Sequence, residues 1–192
     1  MQKIFIIEHL EPELYEWCLI EYENISKIVG KENLWFTNIK KKEEESKLLN
    51  FGSVFSKSVK EMNLENSCIL DPESNVLLSP ENSSPIKYFI FGGILGDYPP
   101  RKRTELELSN FMKEVKTFNI EKEQMSTDNA VYTVKKIVVD KVPFSNLKFK
   151  DTIEIKINSI LTTELPYRYN LIDGKPMISP ALVKLIIKRD SE

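Results

Sequence analysis

Phe89-Ile90-Phe91-Gly92-Gly93-Ile94-Leu95-Gly96-Asp97 is the stretch whose reading decides the fold. Tyr88 to Phe91 is an apolar, aromatic run of strand length, so it reads as a buried strand. Three glycines follow directly, and they let the backbone turn sharply and approach a ligand closely. In open α/β sheets, ligands bind outside the carboxyl ends of the strands, where this loop must lie. The spacing is not G-x-G-x-x-G, and no Gly-Lys-Ser/Thr closes the loop, so neither a dinucleotide fingerprint nor a P-loop is present. The plainer alternative is a tight turn required only by packing.

The segments before the loop supply the rest of a parallel sheet. Lys3 to Ile7 is a strand ending at Glu8-His9. Pro12 then stands near a helix start, with Leu14, Cys18, Tyr22, Ile25 and Val29 at helical spacing and Gly30 as the stop. Leu34 to Thr37 is the next strand, and this β-α-β opening predicts parallel pairing. Lys40 to Lys42 followed by Glu43 to Glu45 reads as a solvated helix start. Leu48, Phe51, Phe55 and Val59 predict a second amphipathic helix, Cys68-Ile69-Leu70 a strand, and Glu73 to Pro85 a surface loop.

Beyond the loop, Leu108, Met112, Val115 and Phe118 predict a third helix. Ser126-Thr127-Asp128 offers N-cap chemistry for a helix carrying Ala130, Val134 and Ile137. Ile153 to Ile157 alternates as a strand, Thr162 to Tyr169 follows, and a closing helix starts at Pro180. With no repeat and no dividing linker, residues 1–192 are expected to form a single domain.

The chain has 192 residues, 41% hydrophobic and 29% charged, with a formal net charge of −2. That charge argues against a broad non-specific nucleic-acid surface, though a local basic groove remains compatible with it. Cys18 and Cys68 lie in apolar surroundings and read as reduced core residues of an intracellular protein. With two cysteines and one histidine, no Cys/His metal site is expected. Ile4 to Ile7 is too short for a signal-peptide core, and no stretch has the length of a transmembrane helix, so no membrane partner is expected.

About thirty residues after the glycine loop stands Gln124-Met125-Ser126-Thr127-Asp128-Asn129-Ala130-Val131. A strand ending in a glycine loop, followed later by a Ser/Thr-x-Asn-Ala-Val helix start, resembles the paired signature of SPOUT methyltransferases. Three further segments are similar to one branch of that superfamily, shared by archaea and eukaryotes: Ile7 to Cys18, Phe91 to Arg101 and Glu164 to Tyr169. The branch includes a fungal enzyme that methylates an arginine of a small-subunit ribosomal protein. The resemblance implies an α/β fold with a mostly parallel sheet, helices on both faces and a deep C-terminal trefoil knot. The knot would span about residues 85–140, with 141–192 as a C-terminal extension. It implies S-adenosyl-L-methionine (SAM) as cofactor, held by Gly92, Gly93, Leu95, Gly96, Asp97, Ile120, Gln124, Met125, Thr127 and Ala130. It further implies an enzyme acting on a small-subunit ribosomal protein, monomeric like the eukaryotic members of the branch, with the dimer common among SPOUT proteins as the alternative; the expected location is the cytoplasm. Two other readings are RNA (rRNA or tRNA) as acceptor on the same fold, and a ribosome-associated binding protein on a degenerate knot.

Methyl transfer from a sulfonium is an in-line displacement that needs alignment and exclusion of water. A guanidinium acceptor has no free lone pair, and carboxylates can grip its fixed fork. Glu8, Asp97 and Glu164 are therefore the expected catalytic carboxylates, converging at the carboxyl edge of the sheet. Each has a plainer role open to it: Glu8 as a helix cap, Asp97 as a turn residue, Glu164 as an exposed loop acid. His9 is either a general base or a hydrogen-bonded structural residue. Arg101 and Tyr167 are expected on the substrate side, with Arg103 and Tyr169 as their neighbours. Arg101 and Arg103 would grip the SAM carboxylate or an acidic partner, and Tyr167 and Tyr169 would wall the acceptor slot; solvation and core packing are the alternatives.

Overall fold

The structure is a computed structural model and describes residues 2–96 and 101–191. In chain order its elements are β1 (Ile4–His9), α1 (Glu16–Val29), β2 (Leu34–Thr37), α2 (Lys42–Leu48), β3 (Ser53–Val54), β4 (Ser67–Leu70) and β5 (Tyr88–Gly93). They continue with α3 (Arg103–Glu107), β6 (Lys116–Phe118), α4 (Thr127–Val138), β7 (Phe149–Lys156), β8 (Thr162–Ile172), β9 (Lys175–Pro176) and α5 (Pro180–Ser191).

The first six strands form one parallel sheet in the order β3-β2-β1-β5-β4-β6. All six residues of β1 are buried, as expected of a central strand covered on both faces. Alternation sends Phe5 and Ile7 to one face and Ile4 and Ile6 to the other. On the first face lie Cys18, Tyr22, Ile25 and Val29 of α1, Leu48 of α2, and Val131, Val134, Ile137 and Val138 of α4. The second face is covered differently from the expected layer of helices. Two single-turn 3₁₀ helices, Val59–Glu61 and Ser109–Phe111, bring up Val59, Leu64, Leu108, Met112 and Val115.

Two predicted helices are therefore corrected. The run Leu48-Phe51-Phe55-Val59 is helical only as far as Leu48. Gly52 then lies against the Leu34 backbone, closer than any side chain permits, and the Phe55 N–H donates to the Phe36 carbonyl at 2.8 Å. That close approach lets β3 join the sheet edge. In the run Leu108-Met112-Val115-Phe118, the first three residues cover the second face while Phe118 packs on the first. One helix stripe cannot serve two faces of a sheet, and β6 paired with β4 does. The Glu73-to-Pro85 stretch is also less superficial than expected. Ser74, Leu78 and Ser83 are buried, the Leu78 N–H donates to the Asn119 carbonyl at 2.9 Å, and the Asn119 N–H donates to the Val76 carbonyl at 2.8 Å.

The C-terminal part is an antiparallel sheet, β7-β8-β9, closed by α5. Its core of Ile153, Ile155, Leu165, Tyr169, Leu182, Leu185 and Ile186 packs on Trp17 and Ile20, so α1 is shared between two cores. A buried amide network joins this part to α4. The Asn170 N–H donates to Asn129 Oδ1 at 2.8 Å, Asn170 Nδ2 to the Asn129 carbonyl at 3.0 Å, and Thr133 Oγ1 to Asn170 Oδ1 at 3.0 Å. Cys18 and Cys68 are buried and unbridged, and burial pushes the Cys18 thiol up to about 12. Among the described residues, no helix is long and apolar enough to cross a membrane.

Candidate cofactor cleft and acceptor chamber

A cleft of about 190 Å3 opens at the carboxyl ends of β4, β5 and β6. Its floor is Leu70, Phe91 and Gly92, one wall is the glycine loop, and the other is the 120–125 segment leading into α4. Thr127 and Ala130, three residues apart at the start of α4, present the same helix face to it. Eight of the residues expected to hold the cofactor line this cleft: Gly92, Leu95, Gly96, Ile120, Gln124, Met125, Thr127 and Ala130. Gly93 does not. A Cβ there would point into the core, against the Tyr22 hydroxyl, Ile7 and the Glu8 carbonyl. Asp97 lies outside the described residues.

Both walls are held by charged side chains from elsewhere. Glu11 Oε1 accepts the Leu95 N–H at 2.9 Å and Arg103 Nη1 at 2.6 Å. Arg103 also donates to Glu107 Oε1 at 2.6 Å and to the Leu10 carbonyl at 3.2 Å. Glu107 and Glu11 hold its guanidinium protonated well above the ordinary range. Arg103 lines the cleft and, through Glu11, acts as a strut of the loop, a tie that neither the gripping nor the solvated reading included. Arg101 lines the cleft. Across the cleft, Arg168 donates to Glu121 Oε2 and Asp151 Oδ1, each at 2.6 Å, and its backbone N–H donates to the Gln124 carbonyl at 2.8 Å. Tyr167 Oη donates to the Gly96 carbonyl at 3.1 Å, so adjacent residues of β8 hold both walls.

Behind the glycine loop lies a second chamber, of about 270 Å3. It shares Ile94, Leu95, Gly96 and Met125 with the cleft, and its own lining is Tyr15, Trp17, Glu21, Tyr167, Tyr169 and Arg189, among others. Glu21 is buried. Its Oε1 accepts Trp17 Nε1–H at 2.8 Å and its Oε2 accepts the Thr127 N–H at 3.2 Å. Burial pushes its carboxyl up to about 8, and burial likewise raises that of its neighbour Asp128.

Of the expected carboxylates, the two that lie among the described residues, Glu8 and Glu164, do not come together at the cleft. Glu8 is fully buried, and Ser58 Oγ (2.5 Å), Thr37 Oγ1 (2.5 Å) and the Val59 N–H (3.0 Å) donate to it. It ties β1 to β2 and to the 3₁₀ turn at Val59, and it lines neither cavity; nor does it cap α1. Glu164 is exposed and stands opposite Glu154 in the β7–β8 pair. Strand alternation sends Leu165, Tyr167 and Tyr169 inward and leaves Glu164 on the other face. His9 is buried and bonded through Nδ1 to Tyr22 Oη at 3.0 Å, and burial lowers its pKa. It too lines neither cavity, which fits the structural alternative.

Glu21 was not singled out in the sequence, and Trp17 entered only as part of the Ile7-to-Cys18 segment. Their signal was a Trp and a Glu four residues apart on α1, just beside the apolar stripe of Cys18, Tyr22 and Ile25. That pair also suits an ordinary helix surface, so spacing alone does not single it out.

Residues 4–192 match the family model of SFM1-like protein arginine N-methyltransferases. The protein arginine N-methyltransferase SFM1 of Saccharomyces cerevisiae is 35% identical over 97% of this chain and 95% of its own length. The structure of that yeast enzyme complexed with SAM superposes with a TM-score of 0.92, at 35% identity, over 100% of this chain and 93% of the other. A dual-specific Trm10 from Thermococcus kodakaraensis, 20% identical, shares the fold over 73% of this chain and 94% of its own, with a TM-score of 0.57. Matched from Ile4 to its last residue, the chain belongs to the family of SFM1-like protein arginine N-methyltransferases.

Proposed function

We propose that this protein transfers a methyl group from SAM to an arginine side chain of a small-subunit ribosomal protein. The observation that carries the reading is the pair of contiguous cavities. One is bounded by the glycine loop and the start of α4, the other by aromatic side chains and a carboxylate, and Leu95 and Gly96 form a common wall. The yeast relative was solved complexed with SAM. SAM fits the cleft of this chain chemically: Leu70, Phe91, Ile120 and Met125 offer apolar contact, and Gly92 and Gly96 expose backbone where a side chain would intrude. When bound, SAM supplies an electrophilic methyl on a sulfonium. The protein's part is alignment, exclusion of water and a place for the acceptor.

A trefoil knot over about residues 85–140 belongs to the same reading. The order β5-β4-β6 and the packing of Gly96 against Gln124 support it, since the segment leaving β6 comes up against the loop leaving β5. Two buried, unbridged cysteines support a reducing compartment such as the cytoplasm. Coverage of α1 by the chain's own β7–α5 unit supports a monomer. Similarity of Ile7 to Cys18 and Glu164 to Tyr169 to the branch containing the fungal enzyme supports the ribosomal acceptor.

The test is transfer of labelled methyl from SAM into small-subunit fractions from cells lacking the activity, with protein and RNA separated before counting. Label confined to one small-subunit protein is the expected result. Label in RNA would replace the acceptor and leave the cofactor assignment standing.

A further inference from the structure

We infer that the chamber behind the glycine loop is the slot for the acceptor guanidinium, and that Glu21 binds that group and accepts its proton. The inference deepens the arginine methyltransferase reading and rests on it.

Position is the first argument. Among the described residues, Ile94, Leu95, Gly96 and Met125 line both the chamber and the cofactor cleft and form the partition between them. A side chain entering it comes up against the cleft without crossing the sheet.

Chemistry is the second. A guanidinium is flat, permanently charged and weakly hydrated, so aromatic faces and a carboxylate recognise it. The chamber has both, with Tyr15, Trp17, Tyr167 and Tyr169 as walls and Glu21 as the one carboxylate among the described residues of its lining. The cation in the lining, Arg189, is exposed on α5 and therefore belongs to the rim.

The third argument is that Glu21 lacks the partner its burial calls for. A buried carboxylate is normally matched by a cation. Among the described residues, the donors to Glu21 are neutral, Trp17 Nε1–H and Thr127, and no Lys or Arg pairs with it. Burial accordingly holds it protonated near neutral pH. An arriving guanidinium supplies the missing charge, ionises Glu21 and expels a proton. The titratable and charged groups around it are Cys18 and Tyr22 on α1, Asp128 on α4, Tyr167 and Tyr169 on β8, and Arg189 on α5. None of these except Arg189 carries positive charge, so the incoming arginine meets a field that favours it.

The step balances. An arginine Nη forms its bond to the methyl carbon as the carbon–sulfur bond breaks, and the sulfur leaves with that electron pair as a neutral thioether. The Nη–H pair stays on nitrogen and the proton passes to the Glu21 carboxylate. One guanidinium, one sulfonium and one carboxylate become one methylguanidinium, one thioether and one carboxylic acid. Net charge is +1 on both sides.

The experiment measures SAM binding by calorimetry and steady-state transfer to the small-subunit protein fraction from pH 6 to 9, for the wild type, Glu21→Gln and Glu21→Asp. SAM affinity is expected to stay within about twofold in both variants. For Glu21→Gln, kcat/KM for the protein acceptor should fall by about 100-fold or more, a size typical of a lost general base. The rise of wild-type kcat/KM toward about pH 8 should vanish in Glu21→Gln and survive, at lower amplitude, in Glu21→Asp. If Glu21→Gln fails to fold, the pH limb of Glu21→Asp decides in its place, and a profile lacking the limb overturns the inference. Wild-type rate and profile in Glu21→Gln overturn it outright while leaving the arginine reading intact. A wild type that binds SAM but transfers nothing to protein overturns both.

Discussion

The Glu11 carboxylate accepts the backbone N–H of Leu95 at 2.9 Å, tying the loop after β1 to the glycine loop after β5. The same oxygen holds Arg103 at 2.6 Å, so one carboxylate fixes both the loop and the start of α3. The ion pair is largely shielded, with Glu11 only 10% exposed. Charge-assisted bonds in such settings contribute about 1.5–3 kcal/mol each. Glu11→Ala is therefore expected to leave the fold in place and to weaken SAM binding by roughly tenfold or more, since about 1.4 kcal/mol corresponds to a factor of ten. Calorimetric titration with SAM checks this, and unchanged affinity would remove Glu11 from the account.

Two glycines three residues apart should separate binding from folding. At Gly96 an added Cβ would overlap the Gln124 amide and the Tyr167 ring, side chains at the exposed cleft wall. At Gly93 it would meet the Tyr22 hydroxyl, Ile7 Cγ2 at 2.8 Å and the Glu8 carbonyl at 3.1 Å, all in the core. Gly96→Ala is expected to weaken SAM binding at least tenfold with little change in Tm. Gly93→Ala should cost about 1–3 kcal/mol of stability, the usual penalty for overpacking. Thermal melts and SAM titrations of the two variants together check the contrast.

How much of this was legible beforehand varied with the type of signal. The parallel sheet and the cleft followed from β-branched and aromatic runs and from glycines, signals local in sequence. The corrected helices failed because apolar spacing reports that residues are buried, not on which face. Leu108, Met112 and Val115 go to one side of the sheet and Phe118 to the other. Glu8 was misplaced because its partners, Thr37, Ser58 and Val59, are 29 to 51 residues away. Glu164 was misplaced because strand alternation turns it away from Tyr167. Asn129, in a motif associated with cofactor binding, is spent on joining α4 to β8, and the sequence carries no mark of that.

Replacing Asn129 should therefore act on stability. Asn129→Ala would leave the Asn170 N–H without its acceptor and remove side-chain bonds to Ser126 Oγ and the Met177 carbonyl. Each buried group left unsatisfied costs about 1–3 kcal/mol. Urea denaturation should show a loss in that range or above, and hydrogen exchange should speed up first in β8 and α5. A loss below about 0.5 kcal/mol would contradict the network's role as the joint between the two cores, being no more than an ordinary surface substitution.

Glu21 also sets a pH dependence of stability. Its folded pKa, raised by burial to about 8, lies above the ordinary 4.5, so the folded state binds the extra proton. Its contribution is full below pH 4.5 and is lost as pH rises toward about 8; Asp128, also raised by burial, acts in the same direction. Glu21→Gln is expected to flatten the fall in stability across that window. Denaturation midpoints measured at several pH values for wild type and variant would show equal slopes if Glu21 does not titrate there.

The most direct test of the central claim is mass spectrometry of small-subunit ribosomal proteins from cells with the gene deleted, then restored. The account predicts one protein that loses 14 Da at a single arginine on deletion, a shift that is one methyl group exchanged for hydrogen and that returns on restoration. It also predicts that Glu21→Gln fails to restore it. An unchanged protein mass profile, with a methylated nucleoside lost from the RNA instead, would contradict the claim.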